Sequence, residues 1–393
     1  MRKHKWLKVL LTIILVALLI AIAVTIGLIG TGNMAKILEK QGITFLSKET
    51  PSQPASNEIV LTETGETAAD ASAGTVPADT APAETAPADT APGTEPAEAP
   101  AAEAPVVEAP AVVPTMKIGD KDVASGLLFT GTPSTVTVPA SEITSTSCVL
   151  VNLADDTIVA QENADVKIYP ASMTKIVTVM IAGEILNPDS TVEITDEMIN
   201  FCVSNDLSAA GFEAGQTYTV RELMYGAVLP SGGEASAALA IASAGSMDAF
   251  VALMNQKVAE LGFADVAHFT NCAGYFDENN YCTLLSMAAF LKNALLNDTV
   301  REVLSTKVYT IPAKEEGKED LVLSNWFLRR IEDKDAGGQV IAAKTGFVTQ
   351  SGNCAASYEV SASGVPYICV TANSDSEWNC IYDHVALYKK YAA

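Results

Sequence analysis

One stretch of 67 residues, 49–115, decides where this chain can fold. It holds twelve acidic residues, no basic one and eleven of the 18 prolines, much of it in the run APADTAPAETAPADTAPGTEPAEAP. Almost nothing in it can be buried, so burial cannot offset the entropy of ordering, and the stretch is expected to be disordered. Proline and like charge both extend such a chain, which suits a spacer. The linker is placed at residues 31–115.

What precedes the linker has a different character. Arg2, Lys3, Lys5 and Lys8 lead into 22 residues without a charge, Val9 to Gly30. As a helix that run spans about 33 Å, enough for a bilayer core. The basic cluster predicts a cytoplasmic stub at 1–8, a membrane span at 9–30 and an exported remainder on the cell-wall side of the membrane. A cleaved signal peptide is the rival. Its apolar region is shorter, about 7–15 residues, and ends at a small-residue cut site. No clear A-x-A site follows here, so an uncleaved single-pass anchor is expected.

Residues 116–393 remain, enough for one substantial core. The whole chain carries a formal charge of −23, and this part alone carries −17. Nucleic acid demands a basic footprint, so no nucleic-acid partner is expected. All seven cysteines lie here, an odd number that cannot pair completely within one chain. Cys148, Cys354 and Cys369 fall in strand-like apolar runs and read as small core residues. Free thiols in an exported protein point weakly to an oxygen-poor habitat. No CxxC and no ligand set with metal spacing is present, so neither metal nor cofactor is expected.

The patterning predicts a mixed α/β (α+β) domain. SCVLVNLADDTIVAQENAD reads as two strands around the turn Ala154-Asp155-Asp156. After Ser172, Ile176, Val179 and Met180 recur at helical spacing. Gly183 follows on that face, where a small residue admits a close neighbour. TVRELMYGAVLPSGGEASAALAIASAG reads as two helices broken between Pro230 and Gly233, and SMDAFVALMNQKVAELGF as a third. GQVIAAKTGFVTQSGNCAASYEVSASGVPYICVTANS reads as three strands. In WNCIYDHVALYKKYAA, Ile381, Val385 and Tyr388 share one helical face. Strands at both ends with helices between them imply one sheet covered by helices.

The chemistry starts from Ser172 and Lys175. On a helix, residues i and i+3 are neighbours. A buried lysine loses its proton more readily, so it can act as a base toward such a serine. S-x-x-K alone is weak, since roughly one is expected by chance in a chain this long. Two further motifs raise its weight. Ser231 lies in LPSGGEAS at the helix break, and Lys344-Thr345-Gly346 closes a strand in AAKTGFVTQSGN. K-T-G by chance is on the order of one chain in ten. The order S-x-x-K, Ser, K-T-G is that of penicillin-binding proteins and serine β-lactamases.

The chain resembles the D-alanyl-D-alanine carboxypeptidase family, the low-molecular-weight penicillin-binding proteins. IYPASMTKIVTVMIA looks like that family's nucleophile helix. GFEAGQTYTVRELMYGAVLPSGGEASAALA, GFADVAHFTNCAGYFDENNYCTLLSMAAFL and AAKTGFVTQSGNCAAS follow its later regions, so the likeness extends over about 140–393. The resemblance implies a β-lactamase/transpeptidase-like fold, an antiparallel sheet flanked by helices. It implies that Ser172 is the nucleophile, Lys175 its base and Ser231 a proton relay to the leaving nitrogen. Lys344, Thr345, Gly346 and Phe347 would form the substrate-binding edge, with the N–H groups of Ser172 and Phe347 as oxyanion hole. The implied partners are peptidoglycan pentapeptide stems, with β-lactams as covalent inhibitors and the membrane reached through the N-terminal helix.

Two departures stand out. The family's second motif is Ser-x-Asn, whereas here Ser231-Gly232-Gly233 lacks the amide. A water, a substrate group or Glu234 would have to fill the gap. The alternative is a catalytically impaired homologue that binds peptidoglycan or regulates. The C-terminal β-domain and amphipathic anchor common in the family are also not expected from this sequence, and the N-terminal helix would anchor the protein instead. A β-lactamase needs a glutamate after the second motif to activate water. EILN, with Glu184, lies before that motif on the nucleophile helix. A Ser–His–Asp hydrolase needs a suitable histidine. Of His4, His268 and His384, none falls in a recognised motif, and each reads as structural or surface.

Overall fold

The computed structural model describes residues 115–392. The stub, the membrane span and the linker through residue 114 lie outside the described residues. Thr115, placed in the linker by composition, is the first residue of a strand.

A six-stranded sheet organises the domain, in the order β10-β11-β12-β4-β5-β3. Its strands are β3 (Thr130–Thr137), β4 (Ser147–Asn152), β5 (Thr157–Glu162), β10 (Gly338–Val348), β11 (Gly352–Ser361) and β12 (Pro366–Ser374). Three small two-stranded antiparallel sheets accompany it: β1 (Thr115–Ile118) with β2 (Lys121–Ala124), β6 (Thr191–Glu193) with β7 (Thr217–Thr219), and β8 (Val308–Ile311) with β9 (Leu321–Ser324). The sheet is not wholly antiparallel as the resemblance implied, because β3 runs parallel to β5 at one edge. The segment 138–146 carries the chain across before β4 begins, so β3 enters in the same direction as β5. Its register shifts between Gly131 and Val136, around Pro133, a residue that sheets accept only at edges and bulges.

The central strands are buried on both faces, and their side chains sort by parity. In β4, Val149 and Val151 enter the large cluster beneath the helices, whereas Cys148 and Leu150 enter a smaller cluster on the opposite face. In β12, Ile368, Val370 and Ala372 face the large cluster and Cys369 the smaller one. This explains why these segments read as continuous apolar runs rather than as alternation.

The helices are α1 (Thr174–Ile185), α2 (Asp196–Ser204), α3 (Val220–Val228), α4 (Gly233–Ala244), α5 (Met247–Glu260), α6 (Leu284–Leu296), α7 (Asp298–Leu304), α8 (Trp326–Ile331) and α9 (Glu377–Tyr391). Helix α1 is the pivot: every residue from Thr174 to Ala182 is buried. A Cβ at Gly183 would stand 2.4 Å from Val300 Cγ2, so the glycine is what lets α7 close on α1. The alanines of α4 do the same on another side, with Ala235, Ala237, Ala238 and Ala240 all buried.

Helices α8 and α9 cover the other face. Phe327, Leu328 and Ile331 of α8 and Cys380 and Ile381 of α9 cluster against Ala343 and Ala355, with Val385 packed beside them. Tyr388 is buried too, so the last helix packs on the sheet as its apolar face predicted. Between α9 and the sheet lies a sealed polar set. His384 Nδ1 is 2.7 Å from Ser357 Oγ, its Nε2 3.0 Å from Thr371 Oγ1, and Tyr388 OH donates to Ser357 O at 2.9 Å. Burial drives the His384 pKa down to about 3. His268 is elsewhere, its Nδ1 2.7 Å from Asn279 O. All seven cysteines are free and buried.

Candidate active site

Pro170 caps a single 3-10 turn, Ala171–Met173, that runs directly into α1. Ala171 sits at φ +47°, a costly conformation for a residue with a Cβ, of the kind held in place around functional sites. The turn aims Ser172 outward while Lys175, on the next turn, is only 1% exposed. Lys175 Nζ donates to Ser172 Oγ at 2.9 Å and to the Ala273 carbonyl at 2.7 Å. Burial lowers the Lys175 pKa from 10.5 to about 8, against the opposing influence of Cys272, Cys202 and Glu234. A neutral amine beside a hydroxyl can accept its proton.

The loop carrying Ala273 is built onto α1. Asn271 Oδ1 accepts from the N–H of Ala273 at 3.2 Å and of Gly274 at 2.6 Å, and Thr178 Oγ1 donates to Cys272 O at 2.7 Å. Gly274 has φ +87°, and a Cβ there would lie 1.8 Å from Ala171 O. The backbone of this loop therefore lies directly against the nucleophile turn. Sequence reasoning missed Ala273, since a backbone carbonyl has no residue signature. The turn residues Asn271 and Gly274 were the available signal.

Ser231 lies between α3 and α4, also with positive φ, +69°. Lys344 Nζ donates to Ser231 Oγ at 3.0 Å and to Thr345 O at 2.8 Å. Lys344 is 2% exposed. Burial, with the charge of Lys175 adding to it, holds its pKa well below 10.5. Two serines, each bonded to a buried lysine, thus face one space.

The position vacated by the missing amide is not a hole. A Cβ at Gly233 would stand 2.7 Å from Leu207 Cδ1 and 3.1 Å from Cys202 Sγ. Nor does Glu234 reach into the site. Its Oε1 accepts from the N–H groups of Ala210 and Gly211 at 2.6 and 2.9 Å, which ties the segment after α2 to the start of α4. Glu184 stands away from this machinery at the end of α1, paired with Lys257 at 2.6 Å.

Strand β10 closes the other side. It is an edge strand of the sheet, with no strand partner on its outer side, the kind of edge to which an extended peptide can add. A Cβ at Gly346 would come within 2.8 Å of Pro170 O and 3.0 Å of Ser172 N, so glycine is required for K-T-G to reach the nucleophile turn. Phe347 follows, 61% exposed. Ser172, Ser231, Thr345, Gly346 and Phe347 line one cleft of about 490 Å³, with Lys175 and Lys344 buried behind it. All seven residues singled out in the sequence therefore meet in one place.

A covered mixed sheet with two serine–lysine pairs at its edge is the architecture of a serine peptidase that uses lysine instead of histidine. The chain belongs to the D-alanyl-D-alanine carboxypeptidase family, whose pattern matches residues 133–376. It is 32% identical over 196 residues to a D-alanyl-D-alanine carboxypeptidase of Streptomyces sp. (strain K15), covering 48% of this chain and 66% of that protein. It is 28% identical over 210 residues to the D-alanyl-D-alanine carboxypeptidase DacF of Bacillus subtilis, covering 53% and 52%. The matches thus span between half and two thirds of these relatives' lengths. In structure, the chain is similar to the Streptomyces DD-transpeptidase at 26% identity and a TM-score of 0.57, over 63% of this chain and 97% of that one.

Proposed function

We propose that the chain is a serine D-alanyl-D-alanine carboxypeptidase that trims the terminal D-alanine from peptidoglycan stem pentapeptides. The observation that carries this reading is the convergence of the Ser172–Lys175 and Ser231–Lys344 hydrogen bonds on one cleft. Lys175 takes the Ser172 proton as Oγ attacks the penultimate D-alanine carbonyl. The N–H groups of Ser172 and Phe347 receive the oxyanion, where losing one donor costs around 3 kcal/mol. Ser231 passes a proton to the departing D-alanine nitrogen, and Thr345 holds its carboxylate. That carboxylate also draws Lys344 back toward its charged form. Water then hydrolyses the ester and restores Ser172. β-Lactams acylate the same serine. The N-terminal helix anchors the domain on the wall side of the membrane, with the linker as spacer.

The test is the intact mass of the purified full chain after exposure to benzylpenicillin, followed by peptide mapping. A stoichiometric adduct on Ser172 is expected. A folded protein with no adduct, or with one elsewhere, would overturn the assignment.

A further inference from the structure

Helices α8 and α9 pack their apolar sides on the sheet and turn their other sides outward together. Residues four apart on a helix share a face, so Trp326 and Arg330 stand together on α8, and Trp378 and Tyr382 on α9. Trp326, Trp378 and Tyr382 are 56%, 47% and 48% exposed. Arg330 joins the two helices, its Cζ 5.2 Å from the ring centroids of both Trp326 and Trp378. The rings of Trp378 and Tyr382 are nearly parallel and offset, inclined by 27° with centroids 6.2 Å apart. A single exposed apolar side chain needs no explanation, but three aromatic rings on one patch mark a surface that meets a partner.

Charge decides which partner fits. The two cations against the rings are already neutralised. Arg330 pairs with Glu377 at 2.7 Å, and Lys334, 6.0 Å from the Trp378 centroid, pairs with Asp333. Residues 116–393 carry −17 as a whole. Anionic lipid is held by uncompensated basic clusters, which this patch does not offer. A neutral ligand with flat apolar faces and a polar edge suits it better, and a pyranose ring is built that way. Its C–H faces lie against aromatic rings, while its edge oxygens accept from guanidinium N–H groups that one carboxylate cannot all use. The position agrees. Trp326, Arg330 and Glu377 line the outer part of the catalytic cleft, and Trp378 and Tyr382 lie just outside it. A fully extended pentapeptide spans at most about 17 Å. A stem reacting at Ser172 therefore keeps the sugar chain that carries it near the mouth of the cleft.

We propose that Trp378, Tyr382 and Arg330, with Trp326 at the rim of the cleft, form a carbohydrate-binding surface for the amino-sugar chain of peptidoglycan. The surface holds the enzyme on the polymer while successive stems are trimmed. This rests on the carboxypeptidase reading and adds to it a contact that lies outside the cleft and takes no part in the chemistry. Sugar rings lie on Trp378 and Tyr382, and Arg330 donates to their hydroxyl or amide oxygens.

The test uses the full chain and two readouts. The first is binding to soluble peptidoglycan glycan strands from which the stems have been removed. Wild type is expected to bind, and Trp378→Ala and Tyr382→Ala should each weaken binding about tenfold, as the loss of an aromatic anchor does. Trp378→Phe should recover part of the loss. The second readout is trimming of a free pentapeptide and of the same pentapeptide carried on uncross-linked strands. The alanine variants should raise KM about tenfold for the strand-borne substrate alone, with kcat and free-pentapeptide trimming within about twofold of wild type. Penicillin acylation at the wild-type rate shows that the variants are folded. A wild type that trims the pentapeptide but does not bind stemless strands would overturn the surface alone. So would alanine variants that bind strands like wild type, or that lose binding only to vesicles of anionic phospholipid. Strand binding by a protein that reacts with neither penicillin nor pentapeptide would support the surface and overturn the carboxypeptidase reading.

Discussion

Among the described residues, two serine hydroxyls are bonded to a basic side chain on a helix, and their surroundings differ sharply. Ser172 and Lys175 are 2.9 Å apart, and Ser357 and His384 are 2.7 Å apart. By distance the second is the better pair. Ser357 and His384 are both 0% exposed, however, and Thr371 and Tyr388 occupy the remaining positions of the network. Ser172 opens on the cleft, with an edge strand and the N–H groups of a helix start beside it. Burial acts on both bases but to different ends. It brings Lys175 down to about 8, near working pH, and His384 down to about 3, where it stays neutral and inert. On the proposed function, access and what else faces the reacting atom distinguish a catalytic serine–base pair from a structural one.

The sharpest way to break this comparison is to remove each hydroxyl in turn. Ser172→Ala should abolish the penicillin adduct while leaving the melting temperature nearly unchanged. Ser357→Ala should acylate at a rate within about threefold of wild type. Its stability should drop by about 1–3 kcal/mol in denaturant unfolding, because buried partners lose their bonds. If Ser357→Ala lost acylation while remaining folded, the distinction would collapse.

The next effect is in the pH profile. Lys175 must be neutral to act, so the acylation rate should climb roughly tenfold per pH unit below about 8 and level off above it. A stopped-flow profile that is flat between pH 6 and 9 would contradict the role given to Lys175.

Gly233→Asn gives a smaller change with an informative sign. The space for the amide is filled by Leu207 and Cys202, so the substitution should overpack the site and cost about 1–3 kcal/mol. It should not raise acylation, and adding Leu207→Ala should not fully restore the stability, because the Leu207 Cβ itself would lie 2.8 Å from the new side chain. Acylation that improves in Gly233→Asn alone would show that Leu207 yields easily.

An effect confined to acid pH belongs to His384. Its folded pKa is below the ordinary 6.5, so the unfolded chain binds more protons between about 3 and 6.5, and stability falls as pH drops through that window. The slope attributable to His384 is at most about 1.4 kcal/mol per pH unit. Chemical denaturation at several pH values should show it in wild type and lose it in His384→Gln.

Much of this was legible in the sequence, for reasons that differ by region. The strands from Ser147 to Glu162 and from Gly338 to Ser374 read correctly because their apolar runs, longest where β4, β11 and β12 are buried on both faces, are closed by turn residues. The helix after Ser172 and the break before Gly233 followed from periodicity and from Pro230. The seven residues proposed for the site could be picked out because side-chain chemistry at fixed spacing leaves a trace, and the structure brings them to one cleft. Strand β3 was not visible: TGTPSTVT is mostly exposed and polar, and its parallel pairing depends on a crossover that no local pattern records. The role of Ala273 is carried by backbone, and the filling of the Gly233 gap by Leu207 depends on tertiary packing 26 residues away. Trp326 and Trp378 gave no local motif, since it is the meeting of α8 and α9 that sets them around Arg330.

The seven buried, unpaired cysteines have a consequence of their own. Disulfides do not tie the unfolded ensemble together here, so the native packing alone must keep seven thiols out of water. The domain is thereby a self-reporting gauge of its own opening. Under native conditions an alkylating reagent reaches a thiol only as often as the region around it breathes. Cys354, at the cleft, and Cys369, deep under α9, would clock the front and the back of the sheet separately in a single mass-spectrometric time course.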